Sequence, residues 1–479
     1  MIRVRRWRRR LLAAVLAIAA AYVAARWLVL PAIARAKASQ VLASLGFAQA
    51  TFDIDHATFF TTRISRLRLD ADSGADHVDV GYSPLSLWRG GVHAVATSGL
   101  RLAGQPATAT ILAHAPAGYL LSARIDTPDQ PLLIEGELSG DAWQLSAHGE
   151  LLDASIAAGA MRTFLPDWRL TASGKVQLKA TWSRKTDAQH RIDATVEARD
   201  VAVRFADVND PKLRHITGVF QVAGEFSPYK AMLTVSTDNA SFASGYWTAE
   251  LGGISGRVLF TSLSPLATAD SQHLRVRNAR VGELHFENGD IRLRLRDGHL
   301  IDVEKTKWQW MDGTIAAAGF TLDTHSPVVE LAIEAEKLDL EDLLATFAST
   351  HASGTGRVSG RIPVRIDWPR LTFGRGRITA AGDGTLQVRD VAALAAALPA
   401  GDGTTTADEV RRRVLAALAD YSFQELAADL ANDDGWIILR LHLAGRGRTG
   451  ARQAVTADIN LRIQQKFLDG FLWMGSRGR

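Results

Sequence analysis

The sequence predicts a mainly β protein, in which antiparallel strands and a few short helices follow an N-terminal transmembrane helix. Three observations predict this class. An almost wholly apolar run extends from Leu11 to Leu30, and from Phe47 onward apolar and polar residues alternate with the period of two that strands require. Turn dipeptides separate the alternating runs at hairpin spacing.

The N-terminal segment has the pattern of a membrane anchor. The anchor residues that we predict are Arg8, Arg9, Arg10, Leu11 and Leu30. Basic residues fill 1–10, and about 20 apolar residues follow, enough to cross the roughly 30 Å hydrocarbon core of a bilayer as a helix over 11–31. Because the arginines precede the span, the positive-inside rule keeps the N-terminus in the cytoplasm and sends the rest of the chain across.

Two other readings of this segment compete with a permanent anchor. A cleaved signal peptide has a similar basic start, and small residues near Ala19 to Ala25 match its cleavage pattern. Arg26 and Trp27 favour a span instead, because they suit the far membrane interface. Arg5-Arg6 matches the twin-arginine export signal, but within a dense arginine run the pair carries little information.

Charge counting argues against nucleic-acid binding. The sequence pI of 9.3 comes from residues 1–40, which hold nine Lys or Arg and no acid. The remaining residues hold 46 bases against 51 acids, without the basic surface that phosphate contacts require. The absence of cysteine excludes disulfides, thiolate metal sites and a cysteine nucleophile.

Alternation is strongest in the second half of the chain. Ile291 to Arg296 alternates strictly, and the runs from Leu331 to Glu334, from Trp436 to Leu443 and from Val455 to Ile463 do nearly as well. The turn dipeptides that we expect to join such strands are Asn288-Gly289, Asp297-Gly298, Asp312-Gly313 and Asp383-Gly384. Glycine leads several strands, at Gly174, Gly256, Gly360 and Gly384, without a fixed repeat length.

Helical patterns are few. We expect a helical stalk after the anchor, a short helix from Glu341 to Ser349, another from Val391 to Leu398 and an amphipathic helix from Ala407 to Ala419. The predicted organisation is a basic segment at 1–10, a transmembrane helix at 11–31, a stalk at 32–46, a β-region at 47–398, a linker at 399–406, a helix at 407–420 and a C-terminal β-segment with an apolar tail at 421–479.

The motifs of enzyme and cofactor sites are weak. Gly445 to Gly450 matches the dinucleotide fingerprint in letters, but it lies between alternating strands with no helix after it, so we interpret it as a hairpin connection. The histidines show no recognisable metal spacing, and we expect neither a metal nor a cofactor. Asp53 with Asp55 and Asp433 with Asp434 are close in sequence without forming an evident acid–base pair. We therefore expect no enzyme.

Two apolar features admit two interpretations each. Trp308 and Trp310 share one face of a strand, where they serve either core packing or a surface for acyl chains. The segment from Phe467 to Met474 is too short to span a bilayer, so it either covers the end of the sheet or docks to a membrane or a partner.

One stretch resembles a known family. The residues that carry the resemblance are the 354–388 segment with Gly356, Gly360, Gly376 and Gly384, the Leu338-Asp339-Leu340 step before a helix, Tyr82-Ser83-Pro84-Leu85, and the closing strand at Leu439, Leu441 and Leu443. They resemble the YdbH branch of the AsmA-like, TamB-related proteins of the Gram-negative envelope, nearly from end to end. Arg446-Gly447-Arg448 departs from the asparagine-proline turn expected there, and the chain is shorter than typical members.

The resemblance implies an inner-membrane anchor that carries an elongated, curved antiparallel β-groove in the periplasm, the AsmA-like or β-taco fold. Phospholipids would move along its apolar interior toward the outer membrane, where the membrane itself or an outer-membrane protein is the partner implied at the C-terminal end. The groove-lining residues that we predict are Ile291, Leu293, Leu295, Trp308, Trp310, Leu331, Ile333, Leu439, Leu441 and Leu443. A TamB-type scaffold or outer-membrane assembly factor and an anchored β-rich hydrolase are the alternative functions.

Overall fold

The structure is a computed structural model and confirms a mainly β, antiparallel chain with few helices. It describes residues 29–44, 47, 49–70, 72–83, 92–102, 104–114, 118–139, 142–156, 158, 170–184, 189–205, 213–227, 230–244, 249–326, 328–348, 352–367, 370–380, 382–389, 419–433, 436–447 and 454–464. The chain divides into two units, the first of 1–166, 172–198 and 222–228, and the second of 167–171, 199–221 and 229–479.

The first unit begins with helix α1 and continues as antiparallel strands. Its elements are α1 (Leu30–Ser44), β1 (Thr51–Ala57), β2 (Thr61–Arg68), β3 (Gly74–Gly81), β4 (Ala94–Ser98), β5 (Leu100–Leu102), β6 (Gln105–His114), β7 (Gly118–Ile125), β8 (Leu132–Ser139), β9 (Ala142–Asp153) and β10 (Leu170–Arg184). Most strands pair with the next one along the chain, as a meander requires. Three longer strands contribute residues to both units, namely β10, β11 (His190–Phe205) and β12 (Leu213–Ser227).

The second unit contains the rest of the described strands and one helix. Its elements are β13 (Lys230–Ser244), β14 (Ala249–Leu263), β15 (Leu266–Thr268), β16 (Gln272–Val281), β17 (Leu284–Arg296), β18 (Leu300–Trp310), β19 (Gly313–Asp323), β20 (Val328–Asp339), α2 (Leu340–Ala348), β21 (Ala352–Thr355), β22 (Arg357–Asp367), β23 (Arg370–Phe373), β24 (Gly376–Ala380), β25 (Gly384–Val388), β26 (Tyr421–Asp433), β27 (Trp436–Gly447) and β28 (Ala454–Gln464). Strand pairing runs in the order β13, β14, β16, β17, β18, β19, β20, β22, β24, β26, β27 and β28.

Three of the predicted turn dipeptides lie at or beside strand ends, and one does not. Asp297-Gly298 forms the β17–β18 turn with positive φ at both residues, as a tight hairpin needs. The turn before β19 is centred one residue earlier than predicted, on Met311 and Asp312. Asn288-Gly289 is not a turn, because both residues lie inside β17, where Asn288 has a φ of 49° and the pairing with β18 shifts register. The dipeptide supplies a β-bulge there.

The glycines predicted to lead strands mostly lie inside them. Gly360 is paired on both sides, with Ala335 of β20 and Ile378 of β24. A Cβ on Gly360 would run into the backbone carbonyl of Arg377. Close approach between neighbouring strands explains this glycine better than a turn does.

Several predicted segments lie outside the described residues. These are the basic segment, all but the last residues of the predicted transmembrane helix, the helix of 391–398, the 399–406 linker, residues 407–418 of the second helix and the 467–474 tail. The last two residues predicted in that second helix, Ala419 and Asp420, are described and are not helical. Among the residues described, no helix combines the length and the apolar character that crossing a bilayer requires. Leu30, predicted as the end of the anchor, is the first residue of α1, and it is buried.

Candidate functional site

An apolar row crosses the second unit from strand to strand. Direct cross-strand partners point to the same face of an antiparallel sheet, so the pairing register identifies the members of the row. In order from β18 to β27 they are Trp308, Ile315, Ala335, Gly360, Ile378, Ala428 and Leu441. The seven residues belong to seven neighbouring strands, and none of them is polar.

The residues predicted to line a groove occupy this face and its neighbouring rows. On β17, Ile291, Leu293 and Leu295 pair with Thr306, Val303 and Ile301 of β18. On β20, Leu331 and Ile333 pair with Val364 and Ile362 of β22, and Leu439 of β27 pairs with Leu430 of β26. All of the predicted residues except Leu443 are partly exposed.

Bulges preserve the apolar face where strict alternation would reverse it. In β18, Glu304 and Lys305 are both exposed, between the buried Val303 and the partly buried Thr306. Strand β19 repeats the pattern at Ala318 and Gly319, and Gly319 has a φ of 67°. Each of the two paired strands therefore has one extra residue at the same position along the pairing. The two bulges match, so the strands stay in register and their apolar side chains stay on one face of the sheet.

An aromatic group lies at one end of the apolar row. The ring centroids of Phe286 and Trp310 are 5.6 Å apart, and those of Phe286 and Trp308 are 6.3 Å apart. The Trp308 indole lies over Gly289, where any Cβ would collide with its ring, and its Nε1–H donates to Thr306 Oγ1 at 2.7 Å. Because the indole polar group is satisfied within its own strand, the rest of the ring is apolar surface.

A compact core lies beside the row on the same strands, and Ile315, Ala335, Ile378 and Leu441 of the row pack against it. Tyr421, Phe423 and Leu443 are completely buried there, together with Leu338 and Leu340. Leu443 was predicted to line an open groove, but it packs in this core instead. We name the group of Leu338, Leu340, Val358, Leu386, Tyr421, Phe423, Leu426 and Leu443 the closed cluster.

Helix α2 lies against the closed cluster, and its sequence explains why. Asp339 caps the helix, because its Oδ1 accepts from the backbone N–H of Glu341 at 2.8 Å. Glu341 and Asp342 in the first turn suit the positive end of the helix dipole. Leu338 and Leu340, on either side of the cap, are 3% and 5% exposed. The leucine-aspartate-leucine step thus anchors the helix with two apolar side chains and starts it with the acid between them.

The opposite face of the sheet is charged and ion-paired. Arg365 of β22 pairs with Glu330 of β20, and Arg280 of β16 lies 2.6 Å from Glu250 of β14. On β17 and β18, Arg296 binds Asp302, and this hydrogen bond holds the pKa of the Asp302 carboxyl below its usual value. Each of these side chains retains contact with water, so the face needs no cover.

Two of the carboxylates considered for catalysis, Asp53 and Asp55, form structural contacts. Asp53 lies 2.5 Å from the guanidinium of Arg66, and Asp55 accepts from Ser65 Oγ at 2.5 Å. Asp434 lies outside the described residues. Gly445 to Gly447 of the dinucleotide-like motif form the end of β27, where Gly445 pairs with Phe423 of β26 and Val455 of β28, and 448–450 lie outside the described residues. The described contacts of Asp53 and Asp55 are structural, and Gly445 to Gly447 lie in a strand rather than at the start of a helix.

A histidine cluster was missed by sequence reasoning. Turns bring His299, Asp323 and His325 together, with one potential ligand atom of each within 4.8 Å of the others. The signal in the sequence was the Asp323-Thr324-His325 triplet at the end of an alternating run, but nothing local indicated that His299 would join it. The Leu300 to Asp323 pairing of β18 with β19 brings them together.

The first unit has an aromatic cluster of its own. Trp143 and Trp182 meet edge to face with centroids 4.8 Å apart, and His190 stacks on Phe226 with centroids 5.1 Å apart. Burial, and next the nearby Arg184 charge, lower the pKa of His190. The lowered pKa disfavours the charged form of this imidazole, which lies among three aromatic rings.

Together these features define a class of protein. Within the described residues of the second unit, α2 is the one helix, with nine residues, and it lies against the closed cluster. A sheet normally buries an apolar face against a second layer. The described part of the second unit therefore has the architecture of a mainly antiparallel β protein, in which the sheet has one apolar and one charged face.

Comparison with known proteins identifies the family. Residues 217–469 match the family model described as YdbH-like, intermembrane phospholipid transport protein YdbH. The chain belongs to the YdbH-like family, a family of lipid transport proteins rather than of enzymes. Searches among curated proteins and among solved structures found no match. The matched range contains the apolar row and the closed cluster, and it confirms the resemblance seen at 354–388.

Proposed function

We propose that this chain transfers phospholipids between the inner and outer membranes, with acyl tails resting on the apolar face of the second unit. The row from Trp308 to Leu441 carries the proposal, because it continues across seven strands without a polar residue. Family membership supports the same substrate class.

The energetics suit transport rather than storage. Each buried CH₂ of an acyl chain is worth about 0.8 kcal/mol, so a tail of ordinary length gains several kcal/mol on an apolar face. Because the row is apolar from strand to strand and holds no polar residue, a tail meets apolar surface at each position, and the lipid moves without a deep trap. The headgroup stays in water at the edge of the sheet, where no burial of charge is required.

The membrane arrangement is part of the proposal. The basic segment and the apolar run of 11–31 would anchor the chain in the inner membrane, with the N-terminus in the cytoplasm and the β-region in the periplasm as a curved groove. The outer membrane or one of its proteins would receive lipid at the C-terminal end. This arrangement rests on the sequence pattern alone.

Site-specific photocrosslinking tests the face. A crosslinking amino acid at Leu293 or at Ile333 should trap phospholipid in cells, because both side chains lie on the apolar face. The same amino acid at the neighbouring Arg292 or Glu334 should not, because both of these residues are exposed on the charged face. Equal labelling at all four positions would contradict the proposal.

A second measurement tests whether lipid is bound to the apolar face. Leu293→Asp places a charge among the tails, so lipid recovered with the purified chain and detected by mass spectrometry should fall several-fold. Arg292→Asp is the matched control, and it should retain the wild-type amount. Loss of lipid in both variants would indicate unfolding rather than a change of the face.

A further inference from the structure

The histidine cluster has the composition of a transition-metal site. His299 follows the β17–β18 turn, whereas Asp323 and His325 come from the end of β19 and the turn after it. Two imidazoles and one carboxylate form a donor set that Zn²⁺ and related divalent ions prefer. His299 and Asp323 are partly buried and His325 is exposed, so an ion could enter from solvent.

Backbone contacts prepare the side chains for this role. His299 Nδ1 lies 2.8 Å from the carbonyl oxygen of Asp297. A carbonyl can only accept, so Nδ1 carries the proton and Nε2 keeps the lone pair that a metal needs. Metal-binding histidines in proteins commonly donate their second nitrogen in this way. Asp323 is fixed as well, because its Oδ1 accepts from the backbone N–H of His325 at 2.9 Å.

The distances leave room for an ion. The two imidazole centroids are 4.4 Å apart, and His325 Nδ1 lies 3.8 Å from Asp323 Oδ1. Bonds of about 2.0–2.1 Å to a tetrahedral Zn²⁺ would place ligand atoms about 3.3 Å apart. Side-chain rotations that move the ligand atoms by up to about 1.5 Å close that difference, because a ring nitrogen of each histidine and a carboxylate oxygen of Asp323 already lie within 4.8 Å of one another.

We propose that His299, Asp323 and His325 form a binding site for a divalent transition-metal ion of the Zn²⁺ type, with water at the fourth position. The ion would join the turn between β17 and β18 to the turn between β19 and β20. The two turns are already connected by the Thr324 N–H, which donates to the His299 carbonyl at 3.0 Å. The bound metal would stabilise this edge of the sheet, and the proposal does not depend on lipid transfer.

Metal titration of the purified, tag-free full-length chain tests the site. After chelator treatment, Zn²⁺ is added in competition with a fluorescent chelator, and the wild type should bind one ion of micromolar or tighter affinity. His325→Ala and His299→Ala should each weaken binding at least about tenfold, since loss of even an outer partner of a ligand costs this much. His325 is exposed, so its removal should leave folding intact.

His273→Ala is the matched control. His273 Nε2 lies 2.8 Å from the Asp290 carboxylate, so it is also a histidine–carboxylate pair, but it is not part of the three-residue group. Its removal should leave Zn²⁺ affinity unchanged. Wild-type chain that binds no Zn²⁺, or equal loss in His273→Ala and His325→Ala, would overturn the proposal.

A second measurement separates ligation from folding. Co²⁺ added to the wild type should give the visible absorption of a four-coordinate ion, and Asp323→Asn or His299→Ala should abolish it. The unfolding temperature measured in chelator should be the same in wild type and His325→Ala, while added Zn²⁺ should raise it in the wild type alone. Equal stabilisation of both chains by Zn²⁺ would place the ion elsewhere.

Discussion

The closed cluster and the open apolar face of the second unit are both built from alternating strands, but the side chains of the first are buried and those of the second are partly exposed. In the closed cluster, Tyr421, Phe423 and Leu443 have no exposed surface, because α2 and the short strands β21 and β25 lie beside them. On the open face, Leu293 and Ile333 remain partly exposed. The residue types are alike, so the difference comes from what lies over the sheet.

The two regions also share one packing device. The Phe423 ring occupies the space that a Cβ on Gly384 would need, and the Trp308 indole occupies that space at Gly289. An aromatic ring over a glycine covers exposed backbone in a strand. In the closed cluster the ring is completely buried, whereas Trp308 stays partly exposed. Local strand pairing therefore makes an apolar face, whereas other segments of the chain decide whether that face is covered.

The largest expected effect compares two leucines. Leu443→Ala should destabilise the chain by about 2–5 kcal/mol, because it leaves a cavity in a fully buried cluster. Leu293→Ala should cost clearly less, since its side chain is already partly in water. Urea-dependent protease susceptibility measures both values. Equal losses would mean that the open face is as well covered as the closed cluster.

The second prediction concerns the glycine beneath Phe423. A Cβ at Gly384 would collide with the Phe423 ring and with the Thr355 carbonyl oxygen, so Gly384→Ala should cost about 1–3 kcal/mol as overpacking. Gly81→Ala is the control, because the nearest atoms would be 3.7 Å or more from its Cβ. Unfolding midpoints in urea compare the two. A harmless Gly384→Ala would show that Phe423 can move away.

The third prediction tests the helix that closes the cluster. Asp339→Ala removes the oxygen that accepts from Glu341 N–H and should cost about 1 kcal/mol. Faster hydrogen exchange in α2 is the expected readout, with the amides of β17 unchanged. Asp339→Ser keeps a capping oxygen and should restore most of the protection. A loss shared by both variants would assign the effect to the Asp339 charge, which lies 3.9 Å from Arg357.

The smallest effect is expected in the aromatic cluster of the first unit. This cluster contains an ionisable residue, His190, whereas Phe423 of the closed cluster cannot ionise. The pKa of His190 is lowered in the folded chain, so below about pH 6.5 the unfolded chain takes up a proton that the folded one resists. Stability should therefore fall as the pH drops from about 6.5 through the folded pKa. His190→Phe should reduce this pH dependence, measured as the difference between thermal unfolding curves. An unchanged pH profile in the variant would show that His190 is not responsible.

Much of the fold was predictable from local pattern. The alternating runs at 291–296, 331–334, 436–443 and 455–463 all lie within strands, and the Leu338-Asp339-Leu340 step starts a helix as predicted. These predictions held because alternation and capping depend on neighbouring residues only. The 354–388 resemblance succeeded for the same reason, since its glycines mark places where strands approach closely.

The errors came from long-range contacts. Asn-Gly supplies positive φ equally well for a hairpin or for a bulge, and only the pairing of β17 with β16 and β18 selected the bulge at Asn288. Leu443 continues the alternation of Leu439 and Leu441, and its burial depends on Leu426, its partner from β26. The cluster of His299, Asp323 and His325 depends on the register of two strands.

By itself, the sequence determined that this chain forms strands with one apolar and one charged face, because a period of two acts within each strand. Only the tertiary structure decided which part of the apolar face is covered by α2 and which part stays open, and which turns meet at one edge. Those outcomes follow from pairing between residues distant in the chain, for which a local pattern carries no information. The closed cluster and the open face therefore look alike in sequence and differ in structure.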